Sequence, residues 1–347
     1  MQPINTAIIA FGFSGSVFHT PIIEKSDHFN IRLVSSSSAE KVHERLPDVE
    51  VTTEAEKACR REDIDLVVIT SPNTTHYPLA KAAIENGKHV VLEKPFVPTY
   101  EEAVELTELA EANDVVLSVY HNRRWDGDFL TIRSLLEAGA LGDVHTFQGT
   151  WNDYAPEVEG LWREQDLPGS GSWFDLGAHF IDQALELFGM PETIFADLEM
   201  QRPKTNNTDY FHAILGYPNQ RVILQSSFLA VGEVPRYIVH GTKGSFVKYG
   251  FDPQEDMLIN GKTPGDQGWA LEDEAYYGTY TDAYGGTETI PTHQGSYESY
   301  YEKVAQAIQE DGKNPVTAIE ASRVIRLLEL AEKSDWEKRV IPVSFNE

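Results

Sequence analysis

A chain of 347 residues, 41% of them hydrophobic, can bury substantial cores and suggests about two domains. Its 28 Lys and Arg against 55 Asp and Glu leave a formal net charge of -27, a surface that repels nucleic acid and anionic membranes. One cysteine, Cys59, excludes an intrachain disulfide framework; with no secretory signal in MQPINTAIIA and no apolar run of membrane-spanning length, a cytoplasmic protein is expected.

The first third alternates apolar runs with helical patterns. Ala7-Ile8-Ile9-Ala10-Phe11, Ile31-Arg32-Leu33-Val34, Leu66-Val67-Val68-Ile69, His89-Val90-Val91-Leu92 and Val115-Val116-Leu117-Ser118-Val119 read as strands. Between them Tyr77 to Gly87 reads as a helix ending on a glycine, and Tyr100 to Asn113 as a helix capped by Thr99 with Glu101 and Glu102 in its first turn. Cys59 falls in the helical run 54–61, where packing is its natural role. Apolar strands alternating with helices predict an α/β domain over residues 1–121, a doubly wound parallel sheet covered on both faces.

The first strand runs into Ala10-Phe11-Gly12-Phe13-Ser14-Gly15, which is A-x-G-x-x-G. Gly12 would let a pyrophosphate approach the backbone, and Gly15 would let the following helix pack closely. Alanine at position 10 implies ordinary backbone angles there. A glycine turn between any strand and helix would look the same, but the position in a β–α repeat favours a dinucleotide site. Cofactor candidates are therefore Gly12, Phe13, Ser14 and Gly15. After the second strand, Ser35, Ser36, Ser37 and Lys41 stand where an acidic residue would mark NAD, so NADP is favoured over NAD. The plainer reading of those serines is a helix cap. Ser71, Pro72, Asn73 and His76 follow the run 66–69, at the strand end where such sheets bind ligands. Glu93 and Lys94 end a buried strand before Pro95; Lys94 could stabilise alkoxide character, and Glu93 could orient it.

From residue 122 to 347 the pattern changes to an α+β domain. A helix is predicted from Phe129 to Ala138, and strand-like runs at 144–151, 211–215, 221–228 and 236–240 suggest a mostly antiparallel sheet. Residues 250–295 read as loops and short strands. Two helices, 297–310 and 318–333, close the chain and are candidates to pack back on the first domain. In Trp173-Phe174-Asp175-Leu176-Gly177-Ala178-His179-Phe180-Ile181-Asp182 three ionisable residues share a helical face at i, i+4 and i+7. His179 is suited to proton transfer and Asp175 to holding a neighbouring hydroxyl; Asp182 reads as support. A metal reading of the three has no further ligand pair behind it, so no metal is expected. Two arginines after the last strand of the first domain make Asn122 and Arg124 candidates for contact with substrate hydroxyls or for pairing with carboxylates at the domain junction, and Trp162, with Arg163 beside it, offers an aromatic face to a sugar ring or to plain packing.

Taken together, AFGFSGSVFH, SPNTTH, VLEKPF, YHNRRWDGDF, LWREQDLPGSGSWFDLGAHFIDQALELFG and the terminal helices resemble the Gfo/Idh/MocA oxidoreductases along nearly the whole chain. The resemblance implies a Rossmann domain followed by a domain whose open, largely antiparallel sheet often serves in oligomerisation, here a homodimer or homotetramer. It implies NAD(P)-dependent oxidation or reduction of a polyol or sugar, with an inositol-type cyclitol favoured. The lysine of its E-K-P motif, catalytic and often followed by a cis bond, falls on Lys94; the aspartate and histidine of its D-x-x-x-H segment fall on Asp175 and His179. Two rival classes remain, an NAD-dependent glycosidase of the same fold and a non-catalytic NAD(P)-binding sensor; the presence of Lys94, Asp175 and His179 favours the dehydrogenase.

Overall fold

The computed structural model describes residues 2–345, apart from the side chain of Trp162. Its contacts divide the chain into two compact units: Met1–Asn122 with Gln254–Ala270 and Ser296–Arg323, and Arg123–Pro253 with Leu271–Gly295 and Val324–Glu347. Among the described residues no helix is long and apolar enough to cross a membrane.

The first unit is built on six strands, β1 (Ile4–Ile9), β2 (Phe29–Ser35), β3 (Glu50–Thr52), β4 (Leu66–Ile69), β5 (His89–Leu92) and β6 (Leu117–Val119). All neighbours are parallel and the order is β3-β2-β1-β4-β5-β6, so strand order reverses between β1 and β4. Every residue of β4 is buried, as expected of a central parallel strand covered on both faces. The helix Tyr100–Ala112 starts where the Thr99 hydroxyl accepts the Glu102 N–H, and the helix His76–Glu85 is followed by Gly87 at a left-handed φ of 69°. Cys59 is buried in the helix Ala55–Arg60 against the Leu79 carbonyl. The edge strand β6 is covered by late sequence. Ser118 bridges to Thr317, Asn314 donates to the Leu117 carbonyl, and Tyr300 of the helix Glu298–Gln309 donates to Ser118 Oγ at 2.8 Å. The stretch 250–295 holds more order than its composition suggests, including a helix at Gln254–Ile259.

The second unit carries nine strands: β7 (Val144–Asn152), β8 (Thr193–Glu199), β9 (Tyr210–Gly216), β10 (Arg221–Ser227), β11 (Tyr237–Gly241), β12 (Gly244–Lys248), β13 (Gly278–Asp282), β14 (Thr287–Ile290) and β15 (Ile341–Pro342). The order is β14-β13-β12-β11-β7-β10-β9-β8-β15, and only the β7/β10 pair is parallel. One face buries Phe147, Leu224, Ala213, Val239 and Phe246. The helix Ala178–Phe188 lies against it so closely that a side chain at Gly149 would meet the Phe180 ring at 2.7 Å. On the other face the register aligns Phe195, Ile214, Ile223, Gln148, Ile238 and Val247 in one half-exposed row across six strands.

One local expectation is corrected. Ala10 does not take ordinary backbone angles; its φ is 71°, the left-handed conformation a glycine would adopt without strain. Two hydrogen bonds hold it there, Ala10 N–H to the Ser35 carbonyl at 2.9 Å and Thr70 Oγ1 to the Ala10 carbonyl at 2.8 Å. The Cβ clash in this region costs about 1–2 kcal/mol, partly offset because glycine also frees the unfolded chain. Ala10→Gly is therefore expected to raise stability by up to about 1 kcal/mol, read as a higher urea midpoint at unchanged slope.

Candidate active site

In the first unit the site grows from the carboxyl ends of β1, β4 and β5. Gly12 is exposed, and a Cβ placed on it would meet no atom within 4 Å, so the backbone there faces open space that a phosphate can enter. Gly15 is the opposite case: a Cβ would come within 2.5 Å of the Ala10 carbonyl oxygen and 2.6 Å of Thr70 Oγ1. The following helix opens as a π turn, Ser14–His19, and continues as Thr20–Glu24. Ser16 Oγ and Thr20 Oγ1 donate to the Gly12 and Gly15 carbonyls at 2.7 and 2.6 Å, taking up acceptors of the widened turn. An open cradle at one glycine beside close packing at the other suits a dinucleotide pyrophosphate. Phe13 is half-exposed and edge-on to Phe18.

At the end of β2, Ser35 is buried, Ser36 Oγ accepts the Ser38 N–H, and Ser38 Oγ accepts the Lys41 N–H to cap the helix Ala39–His43. Ser37 and Lys41 are exposed. After β4, Ser71 Oγ pairs with Thr75 Oγ1 at 2.6 Å, Asn73 is buried and Pro72 is exposed. His76 is fully interior. Its Nδ1 lies 3.0 and 3.1 Å from the Pro95 and Phe96 carbonyls, and its Nε2 2.9 Å from the Ser71 carbonyl. Burial lowers its pKa and the three carbonyls work against that shift; the ring lies between the two loops and is taken up by them.

Glu93 lies just beyond β5, buried, and the Lys94–Pro95 bond that follows is cis. The Glu93 carboxylate accepts from the Lys94 main-chain N–H at 2.8 Å through Oε2, while Oε1 accepts from Ser14 Oγ and lies 3.0 Å from His19 Nε2. Burial by itself raises the carboxyl pKa, but the His19 hydrogen bond and charge, the Lys94 charge and the Ser14 hydroxyl outweigh it and hold the pKa at about 2. Glu93 thus grips the Lys94 backbone. The Ser14–His19–Glu93 set escaped sequence reasoning because its members are 74 and 79 residues from Glu93; the only local signal was a buried strand ending in a charge.

In the second unit Gly169 and Gly171 both have positive φ, 71° and 83°. At Gly171 a Cβ would strike Asn207 Oδ1 at 2.3 Å. The next segment is a π turn, Trp173–Gly177, running into the helix Ala178–Phe188. Trp173 is buried over Gly177 and donates to the Leu328 carbonyl at 3.1 Å, which fixes the turn carrying Asp175. Asp175 is half-buried and 3.6 Å from an Arg163 guanidinium nitrogen; His179 is buried one turn later. Asp182 holds Arg124 in a two-pronged ion pair at 2.9 and 2.7 Å, both side chains buried, and Glu186 adds a longer contact at 3.4 Å. That pairing withdraws Asp182 from the triple weighed as metal ligands and makes Arg124 a structural partner of the helix. Asn122 is buried at the end of the first unit's opening stretch. Trp162 starts the turn Trp162–Glu164, and its side chain lies outside the described residues.

Asp175 and Arg163 line a cavity of about 270 Å³ in the second unit, together with Asn207, Thr208, Trp151 and Phe228. Its wall is braced by Arg202, which sequence reasoning missed. Arg202 is buried, pairs with Asp209 at 3.0 Å and Glu164 at 3.1 Å, and donates to the Ala155 and Glu157 carbonyls. Trp151 has guanidinium groups within 4.5 Å of its ring, those of Arg123 and Arg236. Acceptors, donors and aromatic faces around one small cavity are what a polyhydroxylated ring needs.

Comparison with known proteins agrees with this architecture. Residues 4–121 match the model of the oxidoreductase family's NAD-binding Rossmann fold, and residues 133–345 that of its C-terminal alpha/beta domain. The chain is 44% identical over 344 residues to scyllo-inositol 2-dehydrogenase (NADP(+)) IolW of Bacillus subtilis, covering 98% of this chain and 96% of that one. It is 46% identical to the oxidoreductase YdgJ of Escherichia coli, named as uncharacterized, over 95% and 96% of the two chains. Among solved structures, yvaA of Bacillus subtilis superposes with a TM-score of 0.97 at 43% identity, covering 99% of each chain.

The buried Arg124–Asp182 pair makes a clear prediction. Arg124→Ala leaves the Asp182 charge buried without its main partner and should lower stability by about 3–5 kcal/mol, whereas Arg124→Leu with Asp182→Leu should recover most of the loss. Urea unfolding of the three proteins reads both effects.

Proposed function

This chain belongs to the Gfo/Idh/MocA family of NAD(P)-binding oxidoreductases, and on that basis we propose that it interconverts a CH–OH group and a carbonyl on a polyol or sugar, an inositol-type cyclitol being the favoured substrate and NADP the favoured cofactor. The observation that carries the reading is the likeness, over nearly the whole length, to an enzyme named for scyllo-inositol and NADP. The cavity lined by Asp175, Arg163, Asn207 and Trp151 supports a small polyhydroxylated ligand. Gly12 to Gly15 would hold the pyrophosphate, and exposed Ser37 and Lys41 favour a ribose 2′-phosphate. The serine argument is narrower than composition suggests, since Ser36 and Ser38 are engaged in capping.

A bound nicotinamide supplies the hydride acceptor or donor. In the oxidative direction the His179 imidazole takes the hydroxyl proton, and it returns that proton in reduction. Lys94 is proposed to stabilise alkoxide character as the hydride leaves carbon. Asp175 accepts from a neighbouring hydroxyl, and Arg163, already within reach of Asp175, donates to others. Asn122 and Trp162 complete the proposed substrate contacts. Arg124, tied to Asp182, serves by fixing the helix that carries His179. A reducing cytoplasm, where a buried free cysteine is stable, is the proposed location.

Screening polyols and sugars with NAD and NADP separately, following the absorbance of the reduced nicotinamide, should give turnover with a cyclitol and a preference for NADP. His179→Ala is expected to lower kcat by about 100-fold or more while leaving cofactor affinity within about twofold. Unchanged turnover in that variant removes the acid–base role, and release of free sugar from an aryl glycoside without net reduction would replace the dehydrogenase by the glycosidase.

We also propose that the half-exposed row on the second unit's sheet pairs with another copy in a homodimer or homotetramer. Ile214 and Ile223 are directly opposite one another in that row. Ile214→Glu with Ile223→Glu should yield a monomer by light scattering; an unchanged mass places any assembly elsewhere.

A further inference from the structure

We infer that Glu93 is a positioning residue that anchors the phosphate-binding turn and the backbone of Lys94 to one carboxylate, with His19 and Tyr301 keeping that carboxylate aimed. The inference rests on the proposal that this turn holds a nicotinamide dinucleotide, and it assigns a task to buried groups that the hydride chemistry does not use.

The geometry divides the carboxylate between two jobs. Oε2 takes the main-chain N–H of Lys94 at 2.8 Å. Oε1 takes the hydroxyl of Ser14, the first residue of the π turn after Gly12, and lies 3.0 Å from His19 Nε2, on the last residue of the same turn. One carboxylate therefore holds both ends of that turn and the residue proposed to act on the substrate oxygen.

The hydrogen positions follow from chemistry. An ionised carboxylate only accepts, so His19 Nε2 must carry a proton toward it. On the other side, His19 Nδ1 is 2.6 Å from the Tyr301 hydroxyl. Burial pushes the Tyr301 pKa far up, so the phenol keeps its proton and stands as the hydrogen-bond partner of Nδ1. The hydrogen-bonded chain joins Tyr301, His19 and Glu93, with Ser14 and the Lys94 N–H donating to the carboxylate from the other sides. The His19 ring has no exposed surface and sits against the Tyr120 ring at 4.1 Å, which fixes its plane. A Ser14 hydroxyl that donates to Glu93 is not available to donate to a phosphate. Ser14 therefore serves cofactor binding by setting the main chain of the turn.

Three substitutions separate this from general packing. Glu93→Gln keeps the shape but replaces one acceptor oxygen by a donor, so either the Lys94 arm or the Ser14–His19 arm breaks. Ser14→Ala, at a partly exposed position, breaks one contact on the turn arm only. His19→Leu removes the donor, and His19→Gln restores an N–H near the same place. Binding is read by titrating NADPH fluorescence, with melting temperature and circular dichroism as the check on folding.

Glu93→Gln, Ser14→Ala and His19→Leu should each weaken NADPH binding about tenfold, the size expected for one charge-assisted hydrogen bond, while His19→Gln stays within about threefold of the parent. At saturating cofactor, Glu93→Gln should also lower kcat, and by about tenfold more than Ser14→Ala does, because only Glu93 holds Lys94. If folded Ser14→Ala and Glu93→Gln bind NADPH like the parent, the anchor is overturned. Should Glu93→Gln not fold, Ser14→Ala and the two His19 variants decide, equal binding by His19→Leu and the parent counting against it. A parent protein that binds neither NAD nor NADP overturns this inference together with the proposed cofactor. A parent that binds NADPH but turns over no polyol removes the proposed substrate class alone, since the binding comparison still stands.

Discussion

An ionised carboxylate buried in protein is expensive unless donors surround it, and the first unit is organised around meeting that demand for Glu93. The donors come from three places in sequence: Ser14 and His19 after β1, the Lys94 backbone after β5, and Tyr301, acting through His19, from residues 298–309. This explains in physical terms why a nucleotide-binding unit draws a helix from the end of the chain. Without that helix His19 loses the partner of its Nδ1, and β6 loses the Tyr300 cover at its edge. The parallel sheet supplies the site by bringing the carboxyl ends of β1, β4 and β5 together, and Glu93 then fixes the loops that leave those ends.

The second unit meets the same problem with cations. The chain has 28 Lys and Arg to 55 acids, yet Arg124, Arg202, Arg236 and Lys248 are buried. Each holds a loop or helix in place. Arg124 fixes the helix Ala178–Phe188 through Asp182, Arg202 fixes the 155–164 loop through Glu164 and two carbonyls, and Lys248 fixes residues 271–295 through Glu272. Arg236 lies among the rings of Trp151, Phe180, Tyr237 and Phe251 and donates to the Thr150 carbonyl. Against these tightly paired ions the looser Asp175–Arg163 contact stands apart. It is longer, half-exposed and set in a cavity wall.

Local signals carried much of this into the sequence. Apolar runs located the main strands, Thr99 and Gly87 marked helix ends, and Gly12 and Gly15 fell in the turn their spacing implied. Where a feature depends on a distant partner the sequence was silent. Alanine at position 10 adopts a glycine conformation only because Ser35 and Thr70 hold it there. The short strand β3 has no apolar run and exists by pairing with β2. Arg202 reads as an ordinary surface arginine until the 155–164 loop folds over it. The π turns at Ser14–His19 and Trp173–Gly177 are equally invisible to periodicity, since each is set by close packing at a glycine, Gly15 under Ala10 and Thr70, and Gly177 under Trp173.

The charge balance leaves one last question, how a chain of net charge -27 holds an anionic dinucleotide. Exposed carboxylates more than about 8 Å away are largely screened at physiological salt, so the bulk of that charge matters little at the turn. Glu93 is different, because it touches the turn itself through Ser14 and is buried from the ions that would screen it. Its charge is instead taken up by three donors and the neighbouring Lys94, so the carboxylate presents fixed hydrogen bonds rather than an open negative field. A residue that would repel the cofactor if left alone becomes, once saturated with donors, the point from which the phosphate turn and the lysine are both held.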